Sequence, residues 1–112
     1  MEKAKYTILI LLSTTEKWLR LSRQERKDFF EKNINKVIEK YKDDLKLKLF
    51  DSEAFNSKYT DFIIIETENL TKYYFFWEEI RDSKIYTEPY FVINEIILGM
   101  EDGYKTYENS VS

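Results

Sequence analysis

Two carboxylates stand where base chemistry could be done. Glu66 lies directly behind Phe62-Ile63-Ile64-Ile65, and Glu95 sits between Asn94 and Ile96-Ile97. A carboxyl in apolar surroundings loses hydration. Its charged form is then disfavoured, and its pKa rises toward that of a general base. The plain alternative is a carboxylate at a strand end, in water or bonded to a neighbouring backbone N–H. Trp18, Tyr73, Tyr74 and Trp77 offer aromatic faces for an apolar ligand. Tyr73 and Trp77 also recur at helical spacing, as core residues do, whereas Trp18 lies in a polar segment with no stripe to join. Arg81 could hold a ligand carboxylate through a bidentate contact, or pair with Glu78 or Asp82 at a helix end. Asp51, Glu53 and Asp61 gather around one connection, as ligands of a hard cation do. They lack the spacing of an EF-hand loop and read first as a solvated acidic turn, so no metal site is expected. Phe75 falls nearly opposite the apolar stripe of its helix, which marks it for a dimer or partner surface.

Composition narrows the chemistry. The 112 residues contain no His and no Cys. Zinc catalysis, a Ser-His-Asp triad, thiolate chemistry and His-ligated heme are thereby excluded. No cofactor is expected. The formal net charge is −3 and the cations are interspersed with acids, which argues against a phosphate-backbone partner. Aromatic content is 17%, high enough to call for a second buried surface besides a core. The start, MEKAKYTILILL, has lysines before an apolar run, but the run is short and STTEKW follows it. A signal peptide wants small residues there, and a membrane span wants about 20 apolar residues. The expectation is a buried strand in a cytoplasmic protein without membrane contact.

These side chains must be positioned by a few regular elements. Tyr6–Ser13 is apolar at every position from Ile8 to Leu12, as a strand covered on both faces is. Ser22 and Glu25 form a capping box, and the helix they open carries Phe30, Ile34, Val37, Ile38 and Tyr41 on one stripe. Leu45–Asp51 alternates leucine and lysine like a guarded edge strand. Thr60–Thr67 is a second strand apolar on both faces. A helix over about 70–83 follows, capped by Asn69 or Thr71, with Leu70, Tyr73, Tyr74, Trp77 and Ile80 on one stripe. Tyr90–Leu98 is a fourth strand. One domain spans 1–104, and a polar, loosely ordered tail spans 105–112. The order β-α-β-β-α-β predicts an α+β ferredoxin-like plait, a four-stranded antiparallel sheet with two helices on one face. Two strands apolar on both faces then predict a homodimer with sheets packed face to face.

TTEKWLRLSRQERKDFF (14–30), YTDFIIIETENLTKYYFFWEEIRDSKIY (59–86) and EPYFVINEIILGMEDGY (88–104) together resemble the darcynin family, a small bacterial domain of unknown function. The resemblance covers nearly the whole chain in order. It implies a fold similar to dimeric α+β barrels and carries no activity with it.

Two functions are expected from this. The first is a homodimeric small-molecule-binding protein or cofactor-free enzyme with an apolar aromatic pocket. Glu66 or Glu95 would be its base, Trp18 and Tyr74 would stack on an aromatic ligand, and Trp77 and Arg81 would complete the site. By fold analogy alone the chemistry would be oxygenation or isomerisation. The second is a non-catalytic interaction module that uses Phe75. A nucleic-acid role ranks third, because no basic patch with interleaved aromatics is visible.

Overall fold

The computed structural model describes residues 4–111. Four strands, β1 (Tyr6–Thr14), β2 (Leu45–Asp51), β3 (Asp61–Thr67) and β4 (Phe91–Met100), form one antiparallel sheet in the order β2-β3-β1-β4. That is the expected plait, with β1 and β3 central.

Period-2 geometry divides each strand. Ile8, Ile10, Leu12, Ile63, Ile65, Leu45 and Leu47 point to one face, where the helices cover them. Leu9, Leu11, Phe62, Ile64 and Phe50 point to the other, which no described element covers.

The helical layer is more broken than its periodicity suggests. Helix α1 (Glu16–Arg20) begins at Thr15, whose hydroxyl caps the Trp18 N–H. The segment expected as a polar loop is therefore a helical turn, and Trp18 is buried. Helix α2 (Arg23–Phe29) opens with the capping box of Ser22 and Glu25. Phe30–Ile34 is a π-helical turn, and α3 (Asn35–Lys40) continues from it. The wider turn inserts one residue of phase. Phe29 as well as Phe30, Ile34, Val37 and Ile38 thus reach the core.

Helix α4 (Leu70–Arg81) is capped by Asn69. Its inward residues are Tyr73, Phe76, Trp77 and Ile80, at spacings of three, four and seven. The stripe is rotated from the expected one, because Phe76 and not Tyr74 lies beneath the helix. Short α5 (Lys84–Thr87) leads into β4. The chain then forms α6 (Gly103–Val111), a helix where a loosely ordered tail was expected. No helix among the described residues is long and apolar enough to cross a membrane.

Candidate functional site

Between the sheet and the helices lies a cavity of about 620 Å³. Leu12, Leu47, Ile63 and Ile93 floor it from the sheet, and Trp18, Phe30, Ile34, Phe76, Trp77 and Ile80 wall it from the helices. The polar groups are few: Arg26, and a group of Thr14, Asp51, Glu53, Thr60 and Asp61 gathered at one end.

The β2–β3 ladder builds this mouth. Asp51 and Asp61 are register partners at its end, on the helix side of the sheet. Thr60 accepts the Thr14 N–H at 2.8 Å and donates its hydroxyl to Asp61 Oδ2 at 2.7 Å. Carboxylate oxygens of Asp51, Glu53 and Asp61 lie within 4.8 Å of one another. Burial pushes the Asp61 carboxyl up from the ordinary carboxylate range, the Thr60 hydroxyl tempers this, and Asp51 and Glu53 add to the rise. The solvated acidic turn expected from sequence is thus solvated only in part, since Asp61 is half-buried. Arg26 also lines the cavity, with its Nε bonded to the Leu21 carbonyl at 3.1 Å.

One donor inside the helical layer is left over. Trp77 Nε1 is buried and has no hydrogen-bond partner. The Tyr73 hydroxyl is close enough for the indole to temper the rise that burial imposes on its pKa, but the geometry does not make a hydrogen bond. Trp18 is set by an aromatic cluster, with ring centroids 5.2 Å from Phe91 and 5.3 Å from Tyr90.

The other expected site residues lie elsewhere. Glu66 is exposed on the bare sheet face, between Thr7 and Lys46, and borders an open polar groove of about 410 Å³. Glu95 lies on the same face because of a β-bulge: Leu11 opposes Glu95 while Leu12 opposes Ile93, which leaves Asn94 unpaired in the ladder. Ser13 donates to Asn94 Oδ1 at 2.8 Å, and Tyr59 donates to Glu95 Oε2 at 3.2 Å. Neither carboxylate lines the apolar cavity. Tyr74 is 61% exposed on the outer surface of α4, so it cannot stack on anything in the cavity. Arg81 is exposed and sits 3.6 Å from Glu78. Phe75 is half-exposed beside Tyr74, with the Lys72 ammonium 6.0 Å from its ring.

Solved structures with this fold include a heme-binding protein from Thermus thermophilus, at a TM-score of 0.79 and 12% identity, covering 97% of this chain and 45% of that one. A mutant chlorite dismutase from Candidatus Nitrospira defluvii superposes at 0.76 with 9% identity, covering 91% of this chain and 42% of that one. This chain thus spans under half the length of either, and the likeness is one of fold. In sequence, it is 42% identical over 89 residues to Darcynin 1 of Acinetobacter baumannii, covering 80% of this chain and 98% of the relative. It is 29% identical over 102 residues to a darcynin homolog of Streptomyces avermitilis, covering 90% of this chain and 84% of that one. The family model for darcynin, a domain of unknown function, matches residues 2–111, and the chain belongs to that family.

Proposed function

We propose that the protein binds a small apolar or aromatic molecule between sheet and helices, and that it does so as a homodimer joined through the bare sheet face. The cavity carries this reading. Its volume falls within the range of about 300–1,000 Å³ usual for ligand pockets, and it is apolar with a few convergent polar groups. Asp61 is the polar anchor at the mouth. Its raised pKa suits it to hold or accept a proton, so cofactor-free acid–base chemistry would run through this carboxyl. Glu66 and Glu95 would become enclosed only where a second sheet covers the bare face.

Heme does not fit this cavity. Iron in heme proteins is held by His, Cys, Met or Tyr. None of the cavity-lining residues is of those types, and the chain has no His or Cys at all. A second reading, docking of another protein, rests on the exposed pair Tyr74 and Phe75. Phe75→Ser would then abolish capture of a partner without altering dimer mass.

Nile red, a neutral apolar dye, tests the ligand reading. Its emission should rise saturably with the wild-type protein. Leu49 lines the mouth and is half-exposed, so Leu49→Trp can narrow the entrance without disturbing the core. That variant should bind the dye about tenfold more weakly. Equal affinity for both proteins would contradict the assignment.

A further inference from the structure

Helix α6 leaves the body of the fold. Its packing against the other elements is marginal, and at its start the Met100 side chain lies 3.2 Å from where a Cβ on Gly103 would stand. The radius of gyration is 16.2 Å, against about 13 Å for a compact chain of this length. Yet α6 is amphipathic. Tyr104, Tyr107 and Val111 share one face and are 62%, 68% and 65% exposed. A nine-residue helix is marginal in water by itself, so such a stripe needs something to pack on.

The same chain lacks a helix at one place. The α2–α5 layer stops short of the second half of β4, which leaves Ile96, Leu98 and Met100 about half-exposed on the helix side. The outer edge of β4 is unpaired as well. The opposite edge, β2, is guarded by Lys46 and Lys48, whereas β4 has a single charge, Glu95, in ten residues. Natural sheets blunt edges that must stay free. A helix without a core and a strand without a cover are complementary surfaces, and a two-fold axis uses both twice. Tyrosines can each present roughly 150–250 Å², so this stripe and the β4 side chains expose on the order of 800 Å², one partner's share of a standard interface.

We propose that the C-terminal arm is exchanged between two copies, α6 of each packing its Tyr104–Tyr107–Val111 stripe on Ile96, Leu98 and Met100 of the other. This rests on the homodimer reading and adds the arm to it. The absence of cysteine makes the test direct. Leu98→Cys and Tyr107→Cys are made separately in the full chain, at exposed positions where folding is not at risk, then mixed and oxidised. A disulfide-linked dimer should form at least about tenfold faster in the mixture than in either variant alone, because the interface supplies the effective concentration. No enrichment in the mixture overturns the proposal, as does a link within one chain in the Leu98→Cys/Tyr107→Cys double variant. Sedimentation of the wild-type protein separates the two readings. A dimer whose variants fail to cross-link overturns the arm exchange alone, whereas a monomer at micromolar concentration overturns both.

Discussion

Asp51 and Asp61 face each other across the last rung of the β2–β3 ladder, and burial raises the pKa of Asp61 at the cavity mouth. The folded state therefore holds the Asp61 proton more tightly than the unfolded chain does. Its contribution to stability is full below the unfolded value and is lost as pH rises through the raised folded value. Asp61→Asn should accordingly stabilise the protein at pH 7 and change little near pH 4. Partial exposure screens the effect, so the gain stays below about 1 kcal/mol. Urea unfolding at both pH values checks this, and an equal loss at both would contradict it.

The Tyr41 hydroxyl donates to Glu79, which joins the end of α3 to α4. This holds Tyr41 up at about 12, with burial adding to the rise, and holds Glu79 below its usual range with help from Lys40. For a carboxylate depressed in the fold, the stability is present above the unfolded pKa and is lost as pH falls through the folded one. Tyr41→Phe should cost about 1 kcal/mol at neutral pH and less below about pH 4. A cost independent of pH would show that the lost hydroxyl acts without Glu79.

Thr67 is buried at the meeting of three elements. Its hydroxyl donates to the Asp44 carbonyl at 2.7 Å and accepts the Asn69 N–H at 2.9 Å. Thr67→Val keeps the shape but strands both backbone groups, and should cost about 1–3 kcal/mol in thermal or urea unfolding. A neutral result would mean that water reaches this corner.

The sheet was legible in the sequence because its signals are local. Apolar runs mark β1 and β3 as central, Leu-Lys alternation marks β2 as an edge, and Ser22 with Glu25 opens α2 as a capping box should. The side-chain directions were less legible wherever one inserted residue changes the phase. Glu95 would face the helices on an unbroken β4, and the bulge at Asn94 turns it to the bare face. The π-helical turn at Phe30–Ile34 shifts the first helix in the same way. On α4 every residue from Tyr73 to Trp77 is aromatic, so hydrophobicity alone could not tell whether Tyr74 or Phe76 lies inward. The sequence shows Asp61 only as one member of an acidic turn, for a different reason. It is in register with Asp51 and shares the cavity lining with Trp18 and Trp77, none of which is near it in sequence.

The central claim is that the cavity between sheet and helices is the ligand site, and isoleucine-methyl NMR tests it most directly. Ile34, Ile38, Ile63, Ile80, Ile85 and Ile93 line the cavity, whereas Ile64 and Ile97 lie on the bare face. Titration with naphthalene should shift the cavity methyls saturably and leave Ile64 and Ile97 in place. Shifts confined to Ile64 and Ile97, or no shifts at all, would contradict it.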